Sequence, residues 1–209
     1  PAYSDDTMLT AAAVSPSGRR VATAFNYGVG EKTLRLHDVE TGETRVLPLP
    51  TELAFSLTTE EGYEGSVASM HFVDETTLYT SGWAGLRRWD LETGTSALVA
   101  ADVALLALLG AGPAVALTTA SVPGRDPLNC RQAQVRDLVS GTTRALFLPE
   151  TCVRGTSSLG ECGGIAAVPG PDGVLVGRIS GENAHLLAGH EGPVQAVAVS
   201  PDGRWVATS

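Results

Sequence analysis

The stretch Gly28-Val29-Gly30-Glu31-Lys32-Thr33 comes nearest to a chemical motif, because a glycine-rich turn ending in Lys-Thr can cradle phosphate. That chemistry needs GxxxxGK[ST] between a strand and a helix, so that backbone N–H groups and a helix N-terminus face the anion. Here Glu31 stands where the last glycine belongs, and a strand-like segment follows. The stretch therefore reads as a turn between strands. Cys152 and Cys162 are ten residues apart with no His beside them, which is not a zinc spacing. His37, His71, His185 and His190 form no HExxH pair, and no GxSxG occurs. The carboxylates are dispersed, so spacing defines no acid–base pair. No catalytic, cofactor-binding or metal site is expected, and the chain is not read as an enzyme.

Composition narrows the alternatives. The 209 residues carry a formal charge of −9, against the basic patches that nucleic acid binding needs. At 43% hydrophobic and 18% charged, the chain can bury a core. Aromatics are only 5%, so that core must come mainly from Val, Leu and Ala. Lys32 is the only lysine, which hints at a GC-rich bacterial source. The longest apolar run, Val103 to Leu117, is shorter than the roughly 18 residues a membrane span needs. Gly110-Ala111-Gly112-Pro113 also breaks it, so it reads as two buried strands. The three cysteines, Cys130, Cys152 and Cys162, make no complete disulfide framework. Free thiols in a cytoplasmic protein are expected; a Cys152–Cys162 bridge would place the chain outside the cytoplasm.

The elements that carry these residues repeat. Ala13-Val14-Ser15-Pro16-Ser17-Gly18-Arg19-Arg20-Val21-Ala22-Thr23 returns 185 residues later as Ala198-Val199-Ser200-Pro201-Asp202-Gly203-Arg204-Trp205-Val206-Ala207-Thr208. Between them lie HDVETGE at 37–43, WDLETGT at 89–95 and RDLVSGT at 136–142, with a weaker echo at Ile179-Ser180-Gly181-Glu182. Four periods in 185 residues give about 46 each, close to the roughly 40–45 of a propeller blade. Each unit reads as four short strands, with Pro and Gly setting the first turn and an ETG or SGT turn before the fourth. No long 3.6-period segment suggests a helix.

Trp89-Asp90, Gly189-His190 and the SPDG of 200–203 resemble the WD40 repeat family, and the segment 189–209 looks like the opening half of a standard repeat. The departures are His37-Asp38 and Arg136-Asp137 in place of Trp-Asp, and a fourth unit with two possible phasings. The resemblance implies an all-β WD40-type propeller with four four-stranded antiparallel blades plus the first half of a fifth. The blades fall at about 10–49, 66–99, 103–148 and 150–188, and the half-blade at 192–209. The ring is unclosed as counted, and a fragment of a longer chain is expected. The resemblance also implies a structural hydrogen-bond network, to which Asp38, Trp89, Asp90, Asp137, His190 and Thr208 would belong.

Antiparallel strands put first-to-second and third-to-fourth turns at one end and the remaining connections at the other. The first set is short. The second contains the long segments Asn26 to Lys32, Pro50 to Gly65, Ala120 to Arg131 and Pro149 to Gly163. Long loops are where partners usually bind. Candidate contacts there are Tyr27, Tyr63 and Trp83 as aromatic anchors, Glu60, Glu61 and Glu64 as an acidic edge, and Arg125 with Asp126 in a stiff PGRDP loop. The reading is a protein-interaction, scaffold or regulatory sensing module whose partner is a protein, including other domains of the same polypeptide. A small-ligand sensor at the central channel is the alternative.

Overall fold

The computed structural model describes residues 7–27, 33–48, 67–82, 85–101, 103–109, 115–122, 124, 130–146, 153, 160–162, 164–170, 173–181, 184–192 and 194–209. Among them there is no helix, and hence none long and apolar enough to cross a membrane. Every regular element is a strand, because the apolar residues alternate with polar ones or form short runs bounded by Gly and Pro.

The chain divides into two compact units, Pro1–Val103 and Ala104–Ser209. The first holds two four-stranded antiparallel sheets. One runs β1 (Thr7–Val14), β2 (Arg20–Tyr27), β3 (Thr33–Asp38), β4 (Thr44–Leu47) in spatial order. The other runs β5 (Val67–Phe72), β6 (Thr77–Gly82), β7 (Leu86–Asp90), β8 (Thr95–Ala100). The core between them buries Ala22, Ala24, Leu34, Leu36, Leu47, Met70, Leu78, Trp89 and Leu91. All six residues of β6 are buried, as expected of an inner strand.

A third sheet, which apart from Val103 lies in the second unit, is formed by β9 (Val103–Leu108), β10 (Val115–Ser121), β11 (Arg131–Asp137) and β12 (Thr143–Ala145). A further sheet is formed by β13 (Gly160–Cys162), β14 (Ile165–Gly170), β15 (Gly173–Arg178) and β16 (Ala184–Leu187). The hairpin β17 (Val197–Val199) and β18 (Val206–Thr208) follows. Buried residues alternate along β11, so that Ala133 and Val135 face a core with Leu117, Leu146, Val153, Ala166 and Val168. Arg131 points inward too; its guanidinium donates to the Thr119 hydroxyl at 3.1 Å and the Thr119 carbonyl at 3.2 Å. Leu, Val and Ala supply nearly all the packing, consistent with the scarcity of aromatics.

Three expectations need correction. Tyr27 is not in a turn: its backbone closes β2, paired with Thr7, because the ladder runs on past the buried Ala22 and Ala24. Residues 160–162 lie in the segment read as a loop, yet they form β13, paired with β14. The long connections are not general to one end. In the second sheet β6 ends at Gly82 and β7 begins at Leu86; in the fourth, β14 ends at Gly170 and β15 begins at Gly173. The long connections belong to the first and third sheets.

The cysteines also differ from expectation. Cys162 is a free thiol, and its Sγ lies 3.5 Å from the Pro201 carbonyl oxygen. Cys130 is disulfide-bonded. A Cys152–Cys162 bridge is therefore excluded, since Cys162 sits on a paired strand directed at the next hairpin.

Candidate functional site

The third-to-fourth turns are built from one local device. Asp38 accepts from the backbone N–H groups of Glu40 (3.0 Å) and Thr41 (2.9 Å). Asp90 accepts from Glu92 (3.0 Å) and Thr93 (2.9 Å), and Asp137 from Val139 (2.9 Å) and Ser140 (2.7 Å). Each turn ends in a glycine with φ of 72°, 74° or 75° at Gly42, Gly94 and Gly141. The hydrogen bonds, led by those from Thr41, Thr93 and Ser140, hold the three carboxyl pKa values below the ordinary range. In the fourth sheet the turn is one residue shorter. Arg178 stands in the aspartate position, and Gly181 bonds directly to its carbonyl at 2.8 Å.

The first-to-second turns show the same self-sufficiency. The Ser15 hydroxyl accepts from Arg20 N–H at 3.1 Å and the Ser200 hydroxyl from Trp205 N–H at 2.9 Å, 185 residues apart. Asp74 does the equivalent work in the second sheet. Burial pushes its pKa up, but hydrogen bonds from Thr76 and Thr77 outweigh this and leave it lowered.

Within the sheets a second set of residues holds one register. His37 lies opposite Val21, and its Nε2 shares a 2.8 Å hydrogen bond with the hydroxyl of Thr23, two residues on; Nδ1 engages Thr44 at 2.9 Å. Trp89 lies opposite Leu78 and donates from Nε1 to Thr80 at 2.9 Å, with both groups buried. His37 thus does the work of the tryptophan it replaces. Arg136 lies opposite Ala116, and Thr118 occupies the hydroxyl position. Thr118 is wholly buried, and its hydroxyl has no hydrogen-bond partner. In the fourth sheet Gly177 lies opposite Ala166, and Val168 takes the hydroxyl position, so the polar pair is gone. In the last hairpin Thr208 meets His190 Nε2 at 2.9 Å. Where they form, these contacts are structural.

Between the first two sheets an open cleft of about 460 Å³ is lined by Arg20, Leu36, Asp38, Glu43, Thr44, Arg45 and Leu91. Its cations are already engaged. Arg20 donates to the Glu75 carbonyl at 2.5 Å, and Arg45 to the carbonyls of Leu91 (3.0 Å) and Glu92 (3.3 Å). Sequence reading missed these arginines, because their partners lie in another blade. Of the candidate contacts, Glu60, Glu61, Tyr63, Glu64, Trp83, Arg125 and Asp126 lie outside the described residues, and Tyr27 is placed by its backbone in β2. Among the described residues no group of three His, Cys, Asp or Glu side chains is arranged to hold a metal ion.

Successive four-stranded antiparallel sheets with related turns and register are those of β-propeller blades, and solved structures agree. The chain superposes on a propeller in the crystal structure of the nidogen/laminin complex with a TM-score of 0.67, 7% identity and 98% of this chain covered. It matches the hydrazine synthase of Kuenenia stuttgartiensis with a TM-score of 0.65, 12% identity and 96% coverage. TolB from Acinetobacter baumannii matches with a TM-score of 0.65, 15% identity and 95% coverage. The chain spans 72%, 61% and 48% of those three chains, and at such identities they speak to fold alone. No curated protein sequence matches it. The WD domain, G-beta repeat model matches residues 181–209, the last part of a chain whose fold is that of propeller blades.

Proposed function

We propose that this chain is a scaffold or regulatory sensing module that presents the long connection after its first blade, at the second-to-third-strand end, to a protein partner. The observation that carries this reading is the contrast between the ends. At the short-turn end, Asp38, Asp90, Asp137, Ser15 and Ser200 spend their acceptors on their own turns. A turn closed on itself offers few unsatisfied groups to a partner. At the opposite end the first and third blades carry long sequences, residues 49–66 and 147–159, that no tight turn requires. Glu60, Glu61 and Glu64 lie in one of them and favour a basic surface on the partner. WD40 repeats are typically non-catalytic, which supports a binding role over an enzymatic one. A quantitative pull-down with the full chain and with Glu60→Lys/Glu61→Lys/Glu64→Lys tests the reading. Loss of the captured protein from the triple variant supports it; undiminished capture overturns it.

We further infer an oxidising, extracytoplasmic compartment, supported by the disulfide-bonded state of Cys130. Fractionation of the native host, with the chain found only in the cytoplasm, would refute this placement.

A further inference from the structure

Arg45 and Arg144 occupy the same place in the first and third blades. Each lies three residues beyond the turn glycine, Gly42 or Gly141, and each faces the third strand, opposite Leu36 and Val135. Both reach out of their own blade to the same kind of acceptor in the next. Arg45 donates to the carbonyl of Leu91, the residue after Asp90. Arg144 donates to the carbonyl of Ile179, the residue after Arg178, which stands where Asp90 stands. The receiving turns are shaped for the guanidinium. A Cβ at Gly94 would collide with the Arg45 side chain, and one at Gly181 would sit 3.1 Å from Arg144 Nη1. A Cβ at Gly42 or Gly141, in the donating blades, would meet nothing within 4 Å.

The alternation extends along the chain. In the second blade the position matching Arg45 is Ala97, opposite Arg88, which has no donor to extend; in the fourth it is His185, opposite Val176, in place of an arginine. Thr44-Arg45-Val46-Leu47-Pro48-Leu49-Pro50 reappears 99 residues later as Thr143-Arg144-Ala145-Leu146-Phe147-Leu148-Pro149. The second and fourth blades share a different feature: Gly85, just before β7, and Gly173, at the start of β15, lie so close to Ala100 O and Leu187 O that no side chain fits. The first pair has a second clasp, in which the Glu75 carboxylate accepts from Ser17 N–H at 2.9 Å while Arg20 takes the Glu75 carbonyl. The first pair lies within the compact unit Pro1–Val103, and the second, apart from Val103, lies within Ala104–Ser209 together with the β17–β18 hairpin.

We propose that the repeating unit of this propeller is a pair of blades, and that Arg45 and Arg144 are latches that make each pair open and close as one. The first blade of a pair supplies the arginine and the long connections; the second supplies the glycine turn that receives it. The pair, rather than the single blade, is then the unit of local unfolding.

Hydrogen–deuterium exchange of the full chain, followed by peptide mass spectrometry, tests the proposal. In Arg45→Ala, amides of β3, β4, β7 and β8 should exchange about three- to tenfold faster, the range for a partly exposed charged hydrogen bond. Peptides from Ala104 onward should not change. Arg144→Ala should give the mirror result, with β11, β12, β15 and β16 faster and the first unit unchanged. Should either alanine variant fail to fold, Arg45→Lys and Arg144→Lys, which keep charge but lose the forked geometry, should show the same pattern at reduced size. Acceleration across both units together, acceleration confined to the mutated strand, or no acceleration would each overturn the proposal.

Discussion

Thr80 and Thr118 hold the same register position in the second and third blades, yet the two hydroxyls have opposite environments. Thr80 is 3% exposed and accepts from Trp89 Nε1 at 2.9 Å; Thr118 is 0% exposed and its hydroxyl is unpartnered. Valine replaces threonine at nearly constant shape and equal strand propensity, so the pair isolates one polar atom. In Thr80→Val the indole N–H, in a wholly buried Trp89, loses its acceptor. That costs about 1–3 kcal/mol. For a chain of this length each kcal/mol moves Tm by roughly 2–4 °C, so a fall of several degrees is expected. In Thr118→Val no bond is lost, and an unsatisfied buried group disappears. Stability should hold or rise by up to about 1 kcal/mol. Val168 already fills this position in the fourth blade, where it is 1% exposed. Thermal denaturation followed by far-ultraviolet circular dichroism reads both, with amide exchange of β6 and β10 assigning each effect to its blade. A Thr118→Val variant as unstable as Thr80→Val would refute the reasoning.

Three further outcomes follow from the turns and the cysteines. Gly94→Ala should cost more than Gly42→Ala, because both need positive φ but only Gly94 packs against Arg45; urea midpoints of the two variants check this. Asp90 has a lowered folded pKa, caused first by the Thr93 N–H bond, so its stabilisation is complete above the unfolded value near ~4 and is lost as pH falls through the lower folded value. Asp90→Asn keeps an acceptor without titrating and should flatten the acid limb of the urea midpoint between about pH 5 and pH 2. Under denaturing, non-reducing conditions an alkylating reagent should label Cys162 and spare Cys130 until a reductant is added; mass spectrometry of the peptides checks this.

The sequence made the blades legible because their turns are closed by short-range chemistry. Asp38 to Gly42 and Ser15 to Gly18 satisfy themselves within a few residues, so the pattern survives in one dimension. The residues that join blades were not legible. Arg45 meets Leu91 across 46 residues, and Arg144 meets Ile179 across 35. A signal existed in the 99-residue repeat around both arginines, but the shorter blade period masked it. Strand ends were the other loss. Tyr27 and Gly160 sit in ladders that extend past the apolar pattern, because backbone pairing does not depend on side-chain polarity. His37 shows the converse, since a departure from Trp-Asp kept the hydrogen bond to the second strand.

The binding face is tested most directly by measuring the affinity of the captured partner for two charge-reversal variants side by side. One is Glu60→Lys/Glu61→Lys/Glu64→Lys; the other, Glu40→Lys/Glu92→Lys, lies at the short-turn end. A partner seated on the long connections should lose about tenfold or more in Kd with the first variant, while the second stays within about twofold. The opposite ranking, or equal losses from both, would contradict the assignment of that end as the binding face.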